Sequence, residues 1–205
     1  MGEATTVEIT AALIKELRDK SGAGMMACRE ALQASGGDVA KAADFLRQKG
    51  IASADKKKDR VASQGTVESY IHTGGRVGVL LELNCETDFV AKTDDFKNLA
   101  RGICMHIAAL APTYVSSAEV PADVVEQEKA AYRQIAIDEG KKEQFVDKIA
   151  EGKVAKYFEK VCLLDQQFVK DDSKTVGEAV KEVIGKLGEN IVVRRFVRFA
   201  LGDGQ

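Results

Sequence analysis

Few residues in this sequence have the types and spacing that chemistry requires. Glu86 and Asp88 lie two apart, so in an extended stretch they share a face and offer a cation two carboxylates. Without further oxygen ligands, that is a weak magnesium site. His72 falls in a glycine-containing turn and has the chemistry of a general base, but no nucleophile or carboxylate is tied to it by spacing. Gly22-Ala23-Gly24 superficially resembles a phosphate-cradling loop, yet it follows a helical stretch instead of a strand and lacks the Gly-Lys-Ser/Thr ending. Cys28, Cys85, Cys104 and Cys162 include no Cys-x-x-Cys pair, and only two histidines accompany them, so zinc has little support and reduced thiols are expected. No Ser-His-Asp order and no His-Glu-x-x-His run occurs. The residues point to a protein that is not an enzyme, with no cofactor and no metal of its own.

What remains is a binding feature. Asn84-Cys85-Glu86-Thr87-Asp88-Phe89-Val90-Ala91-Lys92 follows the apolar run Val77 to Leu83, which reads as a strand, and precedes helical periodicity beginning at Asp94. Asp88 and Phe89 therefore stand at the tip between a strand and a helix. An acid beside a large aromatic can there be pushed into another molecule. The opposing reading has Phe89 tucked under the loop and Asp88 capping the next segment.

The elements that carry this tip fall into an α+β arrangement. Thr10 caps an amphipathic helix over Thr10–Arg18 that Ser21-Gly22-Ala23-Gly24 breaks. A second helix is predicted from Met25 to Ala34. A third, capped by Asp38, is predicted over Val39–Lys49 with Val39, Ala42, Phe45 and Leu46 inward and Gly50 ending it. Met25 and Met26 cannot both point inward equally well, and exposed methionines are adaptable contact surface. Ala54 to Arg60 reads as a charged, solvated linker, with an RNA contact as its alternative. Beyond it Thr66–Ile71 and Val77–Asn84 form a hairpin. Helices are predicted over Asp94–Leu110, with Phe96, Leu99, Ile103, Ile107 and Leu110 on one face, from Pro121 to Glu139, and from Glu143 to Lys160 with an interruption at Gly152. A capping box at Thr175-Val176-Gly177-Glu178 opens a helix to Leu187. Asn190–Ala200 is strongly β-forming and joins the hairpin in a three-stranded antiparallel sheet backed by helices. The predicted domains are a three-helix partner-binding unit over 1–52, a charged linker over 53–64 and an α+β core over 65–205 that also dimerises.

Composition bounds the function classes. The 205 residues are 45% apolar and 30% charged with net charge −2, an ordinary globular balance without the basic surplus of a dedicated nucleic-acid binder. Aromatics are 6% and Trp is absent, so base-stacking platforms are scarce. No apolar run approaches the ~20 residues that cross a bilayer, and no signal peptide opens the chain. Met1-Gly2-Glu3-Ala4-Thr5-Thr6 matches the loose myristoylation pattern, a short match that chance commonly supplies. A cytoplasmic protein without membrane or direct nucleic-acid partners is expected.

Leu17-Arg18-Asp19-Lys20-Ser21-Gly22-Ala23-Gly24-Met25-Met26-Ala27-Cys28 resembles the first signature of bacterial translation elongation factor Ts, and Asn84 to Lys92 resembles its second. Ile149 to Lys153, Cys162 to Gln166 and Asp172 to Val176 resemble the family too, in the right order. The resemblance implies a guanine-nucleotide exchange factor that binds elongation factor Tu in its GDP form and speeds GDP release. It implies an N-terminal domain of ubiquitin-associated type gripping the GTPase through Arg18, Gly22, Met25 and Met26. It also implies that Thr87, Asp88, Phe89 and Val90 intrude near the nucleotide and dislodge magnesium. Longer members carry the strand-and-helix unit twice. This sequence carries it once, so it looks like the short form in which two chains supply both halves, a homodimer. Ala27 stands where some members carry an acidic residue. The competing readings are a helical adaptor without exchange activity, and a ribosome- or RNA-associated protein using Lys56 to Arg60 with Arg194, Arg195 and Arg198.

Overall fold

Apolar residues alternate along two adjacent stretches and again near the C-terminal end, and in the computed structural model, which describes residues 8–203, these become one sheet. Ahead of it come three helices, α1 (Ala11–Ser21), α2 (Met25–Ala34) and α3 (Val39–Asp55). Thr10 Oγ1 accepts from the Leu13 N–H to start α1, Gly22 ends it in the left-handed conformation at φ 66°, and Asp38 accepts from the Ala40 and Lys41 N–H groups to start α3. Leu17, Cys28, Ala31, Leu32 and Ala42 fill the space between the three. Phe45 is not among them; that interior is filled by two leucines and small side chains, and Phe45 falls on the exposed side of α3. The Met1–Thr6 stretch lies outside the described residues.

Gly50 does not end α3. The helix runs on to Asp55 because Gly50 is where it crosses a later helix, α8 (Val176–Leu187), at backbone contact distance. Ala54 is buried in the main core, so the segment expected to be a solvated linker begins inside a packed helix. The remainder is moored as well: the Asn190 side-chain amide donates to the carbonyls of Lys58 (3.3 Å) and Arg60 (2.8 Å).

The strands β1 (Gln64–Ile71) and β2 (Val77–Cys85) form the expected hairpin, followed by the single-turn helix α4 (Asp88–Ala91) and by α5 (Asp94–Leu110). Thr93 caps α5, which buries Phe96, Leu99, Ile103 and Ile107 but leaves Leu110, at its last position, exposed. Helices α6 (Ala122–Asp138) and α7 (Glu143–Val161) pack chiefly against each other through Ala136, Val146, Ala150 and Val154. Gly152 does not interrupt α7: the buried residues on either side hold the helix through it. A two-stranded sheet that the sequence did not reveal, β3 (Gln167–Phe168) with β4 (Asp171–Thr175), leads into α8 (Val176–Leu187) and the last strand, β5 (Ile191–Ala200). The Thr175–Glu178 capping box is complete, with Thr175 Oγ1 accepting from the Glu178 N–H and Glu178 accepting from the Thr175 N–H.

The sheet order is β1-β2-β5, all antiparallel, with a bulge at Glu82/Leu83 in the β2–β5 pairing. Val79, Leu81, Leu83 and Cys85 on the central strand face α5, while α8 packs on β5 and α5, and together these form the core. Among the described residues no helix covers the opposite face. It exposes Val67, Ile71, Leu80, Val197 and Phe199, the last at 71%.

His106 ties α5 to the β3 turn. It is fully buried, its Nδ1 accepts from the Val169 N–H at 3.2 Å, and its Nε2 lies 2.8 Å from Gln166 Oε1. Nδ1 can accept only if unprotonated, so Nε2 carries the proton and the ring is neutral. Burial holds its pKa below the usual histidine range, with the Gln166 bond acting the other way. The folded state thus binds fewer protons than the unfolded chain, and the stability this supplies is full above about pH 6.5 and lost as pH falls below it. A thermal midpoint that declines from about pH 6.5 downward, with that decline reduced in His106→Gln, is the expected result of melting curves taken across pH 5 to 8.

Candidate partner-binding site

The tip is built by an alternation that cannot be satisfied inward at every residue. Cys85 ends β2 pointing into the core and Val90 returns to it. On a single helical turn neighbouring side chains diverge by about 100°, so seating Val90 sends Phe89 outward. Phe89 is 79% exposed, the largest exposed apolar side chain near the sheet end, and it does not tuck under the loop. Thr87 caps α4, its Oγ1 accepting from the Val90 N–H at 3.4 Å, so the cap is Thr87 and not Asp88.

The loop is held from a distance along the chain. Glu189, between α8 and β5, accepts from the Thr87 N–H at 3.0 Å and from the Thr87 hydroxyl at 2.6 Å. Glu86 accepts from the Asn190 N–H at 2.6 Å and lies 3.5 Å from the Arg60 guanidinium. The Cys85 thiol donates to the Thr87 carbonyl at 3.1 Å. Sequence reasoning missed Glu189 and Asn190, which lie about a hundred positions from the loop; only the strong strand after them hinted that they sit at a sheet end.

Asp88 and Glu86 are not brought together. Asp88 pairs with Lys92 at 2.6 Å, one helical turn on, while Glu86 turns toward Asn190. The Lys92 hydrogen bond holds the Asp88 carboxyl below the usual carboxylate range, with desolvation acting the other way. Lys92 also stands over the Phe89 ring, 5.9 Å from its centre. Both members of the ion pair are more than half exposed, so the pair is weakly held and Asp88 is readily given to another partner. Val90 is buried and Thr87 half-buried, leaving Asp88 and Phe89 as the projecting chemistry.

A second exposed cluster lies on the N-terminal helices. Met25 and Met26, in the first turn of α2, are 58% and 68% exposed; neither points inward. Gly22 and Arg18 are exposed beside them at the end of α1, where the Gly22 N–H donates to the Arg18 carbonyl at 2.8 Å. The turn between the helices is fixed by Ser21, whose hydroxyl donates to the Leu17 carbonyl and accepts from the Ala23 N–H. The methionines thus stand on a rigid base.

The remaining chemistry-bearing residues assemble no reaction centre. His72 Nδ1 lies 2.9 Å from the Tyr70 hydroxyl in the hairpin turn. The four cysteines are buried and unbridged. Burial pushes the Cys104 thiol up to about 12 and the Cys162 thiol to about 11, so neither is a thiolate at neutral pH. Among the described residues no three His, Cys, Asp or Glu side chains gather as metal ligands, and no helix is long and apolar enough to cross a membrane.

Residues 53–203 match the family model described as Elongation factor TS. The chain is 56% identical over 196 residues to the elongation factor Ts of Heliobacterium modesticaldum, covering 96% of this chain and 91% of the relative. It is 54% identical over 195 residues to that of Desulfosudis oleivorans, covering 95% and 98%, and 56% identical over 198 residues to that of Geobacter metallireducens, covering 97% and 92%. These alignments take in the N-terminal helices as well as the core.

Proposed function

The chain belongs to the elongation factor Ts family, and on that premise we infer that it is a guanine-nucleotide exchange factor for the translational GTPase elongation factor Tu, without catalytic chemistry of its own. The observation that carries the mechanism is Phe89, held outward on a moored single turn. Phe89 enters an apolar space between helices of the GTPase. Asp88, released from Lys92, then perturbs the side chains and water around the magnesium ion that joins GDP to the GTPase. Weakening that shell removes charge neutralisation from the phosphates, so GDP leaves. By linkage, GDP weakens the factor's own binding by the same factor.

The N-terminal helices make a separate contact, with Arg18, Gly22, Met25 and Met26 as its surface and the arrangement of a ubiquitin-associated domain. The proposed division is a partner-binding unit over 1–52, a connecting segment over 53–64 and a core over 65–205. Thr87 and Val90 serve the loop contact by holding its shape. The protein works in the cytoplasm and engages neither membrane nor nucleic acid directly. The test is release of a fluorescent GDP analogue from purified elongation factor Tu in its GDP form. Substoichiometric amounts of this protein accelerate release; binding without acceleration would leave the adaptor reading in its place.

The bare sheet face is proposed as the homodimer surface. Val67, Ile71, Leu80, Val197 and Phe199 form an apolar strip, and the Glu82–Arg195 ion pair at 2.7 Å lies within it. The same strip on a second copy is self-complementary under two-fold symmetry. The expected result is a dimer mass in solution at micromolar concentration and a monomer mass for Phe199→Asp; a wild-type monomer would remove the proposal.

A further inference from the structure

Gly50 on α3 and Gly185 on α8 make a close backbone approach between the N-terminal helices and the core. A Cβ placed on Gly185 would lie 2.7 Å from the Gly50 Cα, nearer than packed atoms come, and 3.2 Å from that residue's carbonyl carbon and oxygen, tighter than most packed contacts. The reverse does not hold: a Cβ on Gly50 would lie 3.7 Å from the Gly185 Cα, an ordinary contact. Both positions are inside helices, where alanine is the stronger former and glycine a local cost. At Gly185 the crossing supplies the reason for glycine.

The crossing is flanked by further ties. Lys181 of α8 pairs with Asp55 at 2.8 Å, and Lys186 pairs with Asp95 at 2.7 Å while its aliphatic chain lies against Gly22. Helix α3 belongs to both halves, since Ala42 is in the N-terminal interior and Ala54 in the main core. Those two residues are about 18 Å apart along one unbroken helix. The irregular segment 56–63 that follows α3 is itself moored by the Asn190 amide on the Lys58 and Arg60 carbonyls.

We propose that the Gly50–Gly185 crossing sets the spacing between the two partner contacts, and that Gly185 is a positioning residue for nucleotide exchange. This rests on the two-contact reading above. Once the N-terminal surface is seated on the GTPase, a rigid connection presents Phe89 at a high effective concentration. A side chain at 185 forces α3 away from α8, and the displacement is carried through Ala42 and the shared N-terminal interior to α2, which bears the methionines. Loop insertion then becomes rare in complexes that still form.

The test compares Gly185→Ala with Gly50→Ala in the full chain. The two substitutions add the same methyl group to the two sides of one crossing. GDP release from elongation factor Tu is followed to saturation with factor. Gly185→Ala is expected to lower the saturating release rate about tenfold while moving the half-saturating concentration less than threefold. Gly50→Ala is expected to keep both. Misfolding alone would have the other signature: fewer active molecules raise the apparent half-saturating concentration and leave the saturating rate intact. A readout independent of exchange uses spin labels on cysteines introduced at the exposed Gln33 and Asn98, the native thiols being buried. Their distance distribution shifts or broadens in Gly185→Ala and not in Gly50→Ala. A wild-type saturating rate in Gly185→Ala, equal loss in both variants, or an unaltered distance distribution would overturn the proposal. If the unmodified protein fails to accelerate release, the exchange reading falls instead, and the label distances still report on the crossing.

Discussion

Phe89→Ala is expected to slow factor-stimulated GDP release about thirtyfold while leaving the protein folded. The two halves of that expectation have different causes. In the isolated protein the ring is mostly in water and supports nothing in the core, so its loss changes unfolding free energy by no more than about 0.5 kcal/mol. In the complex the same ring is the one large apolar group at the tip. A buried aromatic anchor of this kind is worth about 2 kcal/mol or more at an interface, and 2 kcal/mol is roughly thirtyfold. Stopped-flow release with a labelled nucleotide, beside a melting curve of the variant, separates the two. Unchanged release would remove the wedge from the mechanism; a large fall in melting temperature would show that the ring has a structural role.

Glu189→Ala should give a smaller loss, by a different route. Its carboxylate takes both hydrogen bonds that hold Thr87, and Thr87 in turn caps the turn carrying Phe89. Hydrogen bonds to a charged acceptor contribute about 1.5–3 kcal/mol, and the lower figure is about tenfold in the population of the correctly shaped loop. Release should therefore fall about tenfold, with faster amide exchange confined to the segment from Thr87 to Lys92. Glu189→Gln keeps one acceptor oxygen and is expected to fall between. Wild-type release in Glu189→Ala would mean that partner binding orders the loop without help from this anchor.

Much of the fold was legible because its signals are local. Thr10, Asp38 and Thr175 each place a side-chain acceptor where the first turn of a helix has unpaired N–H groups, and all three caps form as read. The apolar run Val77 to Leu83 marked the strand β2, and the structure then placed Val79, Leu81, Leu83 and Cys85 of it in the core. The same reasoning failed at Gly50 and Gly152. Read as local punctuation, each should stop or break a helix, since glycine lowers helix stability by about 1 kcal/mol. Tertiary packing overrode both, through α8 at Gly50 and through the residues flanking Gly152 against α6.

The site divides along the same line. By itself the sequence determined that an acid and an aromatic stand together between a strand and a helix, that two methionines follow a glycine turn, and that no reacting group accompanies them. Those are properties of residue type and spacing over a few positions, where hydrogen-bonding capacity and side-chain period decide the outcome. Only the tertiary structure decided that Phe89 faces water instead of the core, because the choice depended on Val90 filling the inward place. Only the tertiary structure supplied Glu189 as the anchor of Thr87, and Gly185 as the seat of α3. Each of these is a contact between segments far apart in the chain, and which distant groups meet is set by how the whole core packs, a quantity no short stretch of residues encodes.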